Sequence, residues 1–297
     1  MREEVAPGLP ADWLNGWLAA IGVTAILPEA RLSWTENPIP VATFHVPDDT
    51  HLVERLTKRL PPGWIDHLAI RHLPRKVLRD EYAKAAEQTR VPDGTTHAGD
   101  FSLSASTTDL VRDSKLGEGG QLPHSPFDPS APGTTGAVRD RLRSCMSALE
   151  QAATYEVAIA ATLDGRGLRV QANGLGFDPR RLVSGVQAKP QVFVDPVIEI
   201  LCFLGLSFFP VRGDGTRAQA RGWTGPASKK GSFTWPVWTP ALDAWAIDAL
   251  LDRFYSDEPR GRLSRLGIRR AFTCVPYQAL NKSDPTRAYA SEPLRWP

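Results

Sequence analysis

The chain has 297 residues, of which 42% are hydrophobic and 23% charged, and its formal net charge is +2. This composition excludes a disordered or fibrous chain, and the length fits one large domain or two smaller ones. The N-terminal segment has acidic residues and prolines where an export signal needs a basic and then an apolar run, so we expect a cytoplasmic protein. The apolar run nearest to a membrane span, Val197 to Val211, carries Glu199 and is interrupted by Pro210, so we expect no membrane segment.

The N-terminal part predicts two helices with a hairpin between them. Apolar residues recur at helical spacing after Asp12, which is placed to cap a helix that ends near Gly22. Alternating apolar residues in 30–46 predict two strands around an Asn-Pro turn. A second helix is expected from Asp49 to Leu60, where two prolines follow.

The segment from Gln88 to Gly136 is rich in Gly, Ser, Thr, Pro and Asp, and it lacks hydrophobic periodicity. Such a stretch predicts a long polar loop and a domain boundary. We therefore expect an N-terminal region, 1–132, with the polar loop at 88–132, and a C-terminal domain, 133–297.

The C-terminal part predicts alternating helices and strands, with Asp195-Pro196 as a strong helix start. The expected elements are a helix at 137–153, a hairpin of Tyr155–Leu163 with Gly167–Ala172, a helix from 195 to 205, a strand at 232–240, a helix at 240–254 and a strand at 267–277. Residues 14–28 and 197–210 resemble each other, which indicates two similar units. The predicted fold class is α+β, with short antiparallel sheets packed against helices in two loosely defined halves.

Positive charge is concentrated in three segments, 51–90, 211–234 and 259–297. They hold nine, five and eight Lys and Arg against five, one and two acids, and such an uneven distribution is typical of nucleic-acid-binding proteins. The middle segment contains a glycine-rich basic loop, Arg212 to Ser232, with hydroxyl side chains and a tryptophan. Glycines admit a phosphate to the backbone, cations neutralise it and tryptophan stacks on a base, although a solvated loop has a similar composition.

The other two segments contain shorter basic runs. Arg71, Arg75, Lys76 and Arg79 form one positive stripe if the segment is helical, although the more ordinary interpretation is a solvated face. Arg262, Arg265, Arg269 and Arg270 suit bidentate contacts with phosphate or with carboxylates of an acidic protein surface.

Catalytic and metal-binding patterns are weak. The sequence has no Walker A, GxSxG, HExxH or EF-hand pattern, and its three cysteines are far apart. His67 and His72 are five residues apart, which places them on different faces of a helix, so we expect no metal site and no cofactor. A ribonuclease could use His45, His51 or His72 as a general acid or base, although a lone histidine beside arginines is commonly a surface residue.

A family resemblance rests on two apolar stretches. Residues 194–215, VDPVIEILCFLGLSFFPVRGDG, followed by 233–251, FTWPVWTPALDAWAIDALL, resemble the "LLALxGL" helix, basic loop and "tWxxPL" strand of small Csb-type subunits of type I-U (I-G) CRISPR surveillance complexes. Residues 14–27 with Arg31–Trp34 are similar to the "LAALGLL" opening of the same large-subunit-like proteins. The resemblance covers about a fifth of the chain, and the polar stretch 88–136 has no counterpart in it.

This resemblance implies a non-catalytic subunit of a ribonucleoprotein of antiviral defence, with guide RNA, target DNA, other complex subunits and a helicase-nuclease as partners. The alternatives are an endoribonuclease that processes guide RNA and a scaffold that contacts only protein. We expect nucleic-acid contacts from the residues of the basic segments: Arg71, Arg75, Lys76, Arg212, Arg217, Arg221, Trp223, Lys229, Lys230, Arg269 and Arg270.

Overall fold

The computed structural model describes residues 1–60, 76–77, 111–112, 120–121, 127, 137–172, 174–178, 193–209, 212–213, 218–224, 231–256, 259–278 and 287–294. Its helices are α1 (Leu14–Ile26), α2 (Leu52–Arg59), α3 (Ala137–Ala152), α4 (Tyr155–Leu163), α5 (Pro196–Gly205), α6 (Ala244–Tyr255) and α7 (Arg260–Arg265), with a 3₁₀ turn at Leu206–Phe208. Its longer strands are β1 (Arg2–Pro10), β2 (Arg31–Trp34), β3 (Val41–Val46), β12 (Ser232–Trp238), β13 (Ile268–Gln278) and β14 (Arg287–Leu294). Two-residue strands lie between them: β4 (Lys76–Val77), β5 (Val111–Arg112), β6 (Gly120–Gln121), β7 (Val170–Gln171), β8 (Phe193–Val194), β9 (Arg212–Gly213), β10 (Ala218–Gln219) and β11 (Trp223–Thr224).

The strands form antiparallel sheets, so the protein has the α+β fold that the sequence predicted. One sheet has the order β1-β3-β2 and another has the order β11-β12-β13-β14. Smaller sheets join β4, β6 and β5, β7 with β8, and β9 with β10. Among the described residues, no helix is both long and apolar enough to cross a membrane.

The β2–β3 hairpin confirms the predicted hairpin, but the sequence did not predict the strand β1 that completes its sheet. β1 contains Pro7 and Pro10, which donate no hydrogen bond and therefore disfavour a central strand. The strand is tolerated because it lies at the edge of the sheet, where the register shifts between Ala6 and Pro10.

The two similar apolar helices, α1 and α5, pack directly against each other. A methyl group at Gly22 of α1 would lie 2.0 Å from the carbonyl oxygen of Leu201, and one at Gly205 of α5 would lie 2.1 Å from that of Leu18. Each helix therefore needs its glycine to let the partner backbone approach. The reciprocal contact explains why both segments contain an apolar helix with a glycine eight residues after its first apolar position.

Tryptophan side chains tie the N-terminal helix and hairpin to the C-terminal sheet. The indole of Trp17 donates to the Pro236 carbonyl oxygen at 2.9 Å, and that of Trp235 donates to the Ala11 carbonyl oxygen at 2.7 Å. Buried side chains from both parts belong to one hydrophobic core. The predicted domain boundary near residue 133 stays a prediction, since it lies outside the described residues.

Most of the predicted helices are confirmed, including the start at Asp195, whose carboxylate accepts from the backbone nitrogens of Val197 and Ile198. Three local predictions were wrong. α1 continues to Ile26 instead of ending near Gly22, because that glycine lies within the helix, where the backbone of α5 packs against it. Asp12 does not cap α1, because the residue before the helix is Trp13 and no side chain caps it. Tyr155–Leu163 is the helix α4 rather than a strand, with Thr154 as its cap, because a short apolar run is compatible with either structure.

Candidate nucleic-acid interface

The predicted contact residues fall into three groups according to where the structure places them. Arg71, Arg75, Arg217, Lys229 and Lys230 lie outside the described residues, as do His67 and His72. Lys76 and Arg212 are described only as backbone in β4 and β9. The predictions for these residues stay predictions. The remaining four, Arg221, Trp223, Arg269 and Arg270, have described side chains.

Arg221 is engaged by two carboxylates of α6. Its Nη1 atom lies 2.6 Å from Oδ1 of Asp252, and its Nη2 atom pairs with Asp248. The guanidinium also lies 5.5 Å from the centre of the Phe209 ring, and only 17% of the side chain is exposed. Arg221 therefore fastens the base of the basic loop to α6, and a phosphate would have to compete with two carboxylates for it.

Trp223 is partly buried and packs against the core beside Arg221. Its ring centre lies 5.4 Å from that of Phe127 and 6.3 Å from that of Phe233, which it stacks upon. The preceding Gly222 has a φ of +76°, which turns the chain so that Trp223 faces inward. The indole that the sequence predicted as a base-stacking group is thus occupied by contacts with the core.

Arg269 and Arg270 lie at the opposite end of the same sheet, where β13 begins. Val237 of β12 pairs with Arg270 and Trp238 pairs with Ile268, so Arg269 is an extra residue in a β-bulge. A bulge redirects side chains, and here Arg269 is exposed and Arg270 is partly exposed although they are consecutive. The guanidinium of Arg270 donates to the Pro38 carbonyl oxygen at 2.7 Å, in the β2–β3 turn.

The short helix α7 brings further arginines to the same place. The guanidinium of Arg269 donates to the Ser264 carbonyl oxygen at 3.3 Å, so the start of β13 contacts the end of α7. Leu263 faces the core, and Arg262 and Arg265, three residues apart, lie on the exposed side of the helix. We call the exposed and partly exposed arginines of these two elements the arginine surface: Arg260, Arg262, Arg265, Arg269 and Arg270.

The arginine surface is accessible from solvent. A methyl group at Gly261 would have no atom within 4 Å, so the outer side of α7 is uncovered by any described residue. Within the part of the chain that the structure describes, Arg265, Arg269 and Arg270 make no ion pair, and two of them bond only to backbone carbonyls. Planar guanidinium groups with spare donors are suited to phosphate oxygens.

The buried acids Asp178, Asp195 and Glu199 accept hydrogen bonds from neighbouring groups. Asp178 accepts from Arg169 at 2.6 Å, Asp195 accepts from Thr162, and Glu199 accepts from the backbone nitrogen of Leu175. Within the described residues, no cluster of three His, Cys, Asp or Glu side chains is arranged to hold a metal ion.

The cysteines are free, buried thiols in the described structure. Burial raises the pKa of Cys274 to about 12, and burial also raises the pKa of Cys145 and Cys202. A thiol with a raised pKa is a poor nucleophile near neutral pH, so these residues act as small apolar side chains.

Comparisons with known proteins do not identify a family for this chain, because no protein-family model and no curated protein matches it.

Proposed function

We propose that this chain is a cytoplasmic, nucleic-acid-binding subunit of an RNA-guided CRISPR surveillance complex that itself carries no catalytic site for target cleavage. In this role it contacts guide RNA or target DNA electrostatically. Together with other subunits it helps target recognition and recruits the helicase-nuclease. The observation that carries the proposal is the arginine surface, where five guanidinium groups lie on two adjoining elements.

The chemistry of the arginine surface favours a polyanion over a protein partner. Arg265, Arg269 and Arg270 pair with no carboxylate among the described residues, so their positive charge is not neutralised within that part of the chain. A repeating phosphate backbone can bind several arginines at once, and each phosphate contact releases counterions. The apolar resemblance of 194–215 and 233–251 to Csb-type subunits supports the assignment to a surveillance complex.

The test is a salt titration with the full-length chain. Fluorescence anisotropy should measure the affinity for an unstructured RNA and a DNA duplex between low and physiological salt. Replacing Arg265 and Arg269 together by Ala should weaken binding roughly tenfold at 0.1 M salt and flatten the slope of log K against log salt by about 1.5, since each lost phosphate contact removes about 0.7 to 0.9.

The matched control replaces Lys58 and Arg59 together by Ala, which removes the same two positive charges from the exposed end of α2. It should leave the slope unchanged. An equal effect of this control would mean that only net charge matters, and no nucleic-acid binding by the wild-type chain would favour a protein-only scaffold. Metal-independent cleavage of the RNA would favour the endoribonuclease alternative.

A further inference from the structure

Three polar side chains form a row across the outer face of the β1-β3-β2 sheet. Glu3 of β1 lies directly opposite His45 of β3, and His45 lies directly opposite Arg31 of β2. Directly opposed residues point to the same face, and neighbouring strands are about 4.8 Å apart, so the row spans about 10 Å. The adjacent residues Glu4, Phe44 and Leu32 point to the other face, where Phe44 and Leu32 enter the core.

The outer groups of this row have no partner among the described residues. Glu3 and Arg31 are exposed, and neither makes a hydrogen bond or ion pair within the described chain. The imidazole of His45 is held in place, because its Nε2 atom lies 2.9 Å from the Ser33 hydroxyl oxygen. The row is therefore a carboxylate and a guanidinium on either side of an oriented imidazole, all available to a ligand.

A second Glu-His-Arg group nearby shows what a purely structural arrangement looks like. His51 lies 2.9 Å from the guanidinium of Arg2 and 3.4 Å from the carboxylate of Glu4. The same carboxylate accepts from the backbone nitrogen of Leu52, at the start of α2. In that group the side chains satisfy one another, whereas in the Glu3-His45-Arg31 row the two charged ends remain open.

From this contrast we propose that the row binds RNA and distinguishes it from DNA. Arg31 holds a phosphate, and the Glu3 carboxylate accepts a hydrogen bond from a ribose 2′-hydroxyl about two strand spacings away. His45 supplies a fixed hydrogen-bonding nitrogen between them. DNA lacks the 2′-hydroxyl, so it leaves the carboxylate without a donor and close to the anionic backbone.

The inference rests on the proposed function and specifies which nucleic acid the chain prefers. The hairpin that carries Arg31 also contacts the arginine surface, because Arg31 begins β2 and the turn after β2 holds the Pro38 carbonyl oxygen that accepts from Arg270. β2 is four residues long, about 13 Å, so a single RNA strand running along the hairpin contacts the row and the arginine surface.

The test compares three ligands of one sequence with the full-length chain: an unstructured 20-nucleotide RNA, its 2′-O-methyl form and the corresponding DNA. The 2′-O-methyl form retains the phosphates and an RNA-like sugar but cannot donate from the 2′ oxygen. The wild type should bind RNA roughly tenfold more tightly than the 2′-O-methyl form, as expected for one hydrogen bond to a charged group. Glu3→Ala should bring this ratio close to one, and Glu3→Gln, which retains an acceptor, should preserve most of it.

Arg31→Ala should weaken the binding of all three ligands by a similar factor, since phosphate is common to them. His51→Ala, in the closed group, should change neither affinity nor ratio. A wild-type ratio near one, or a ratio that survives Glu3→Ala, would overturn the inference while leaving the arginine surface intact. If the wild type bound none of the three ligands, the proposed function would be overturned instead. If the wild type cleaved RNA and the cleavage depended on His45, the row would have a catalytic role in place of the binding role.

Discussion

Arginine side chains occupy two opposite environments in this structure, one at Arg221 and the other at the arginine surface. Arg221 lies at the base of the basic loop, 17% exposed, and is paired with Asp248 and Asp252. Arg265 and Arg269 lie on the exposed sides of α7 and β13, and neither has an acidic partner within the described chain. The local density of positive charge in the sequence therefore does not reveal which arginines are exposed and which are paired with carboxylates.

The acidic residues that distinguish the environment of Arg221 from that of the arginine surface come from a distant part of the chain. Asp248 and Asp252 are four residues apart, so α6 presents both carboxylates on one side. That side meets the base of the loop and neutralises Arg221. Within the arginine surface, Arg269 and Arg270 donate to backbone carbonyl oxygens, which carry no net charge.

The largest expected effect is on stability, and it is measured by comparing substitutions of two tryptophans. Trp223→Ala should lower the free energy of unfolding by roughly 3 kcal/mol, because it leaves a cavity beside Phe127 and Phe233. Trp245→Ala should change it by less than about 0.5 kcal/mol, since Trp245 is 85% exposed. Urea unfolding followed by circular dichroism measures both. Equal effects would mean that the contacts of Trp223 with Phe127 and Phe233 do not stabilise the fold.

A smaller effect is expected for the two kinds of arginine. Arg221→Ala should destabilise the fold by roughly 1 to 2 kcal/mol, a value below that of a fully buried pair because both carboxylates remain half exposed or more. Arg265→Ala should leave stability within about 0.5 kcal/mol of wild type. Nucleic-acid affinity should fall more for Arg265→Ala than for Arg221→Ala. If Arg221→Ala weakened affinity more than Arg265→Ala without lowering stability, the assignment of the two regions would be reversed.

The smallest expected effect is on affinity. It is produced by a substitution that introduces a negative charge into the arginine surface. Gly261→Glu has room on α7 and should weaken nucleic-acid binding by about 1 kcal/mol through repulsion of phosphate and competition for neighbouring guanidinium groups. Gly261→Ala is the matched control. It should leave affinity unchanged and raise stability by roughly 0.5 to 1 kcal/mol, because alanine favours a helix more than glycine does. An unchanged affinity for Gly261→Glu would place the interface elsewhere.

Much of the fold was predictable because local patterns coincide with the tertiary arrangement. The helix start at Asp195 and Pro196 depends on a cap and a fixed φ, both of which act within one turn. The β2–β3 hairpin follows from alternating residues around a turn. By contrast, β1 could not be predicted, because its prolines and polar residues are not typical of a strand. It forms a strand because its backbone pairs with β3.

The candidate interface was predictable only in part. Arg269 and Arg270 were identified from their charge, and Arg262 and Arg265 from the same run. The exposure of two consecutive strand residues depends on a bulge between β12 and β13. The row of Glu3, His45 and Arg31 draws one residue from each of three strands, so no spacing along the chain indicates it.

The sequence by itself determined the α+β class, most of the helices and the concentration of arginines near the C-terminus, because these depend on short-range periodicity, capping and composition. Only the tertiary structure decided which of the basic and aromatic residues are available. Trp245 of α6 is exposed, although it is a large apolar side chain. Trp223 and Arg221, which the sequence predicted as ligand contacts, pack against the core and pair with carboxylates of α6, respectively. The physical reason is that a side chain is buried or neutralised by neighbours that folding brings from distant parts of the chain.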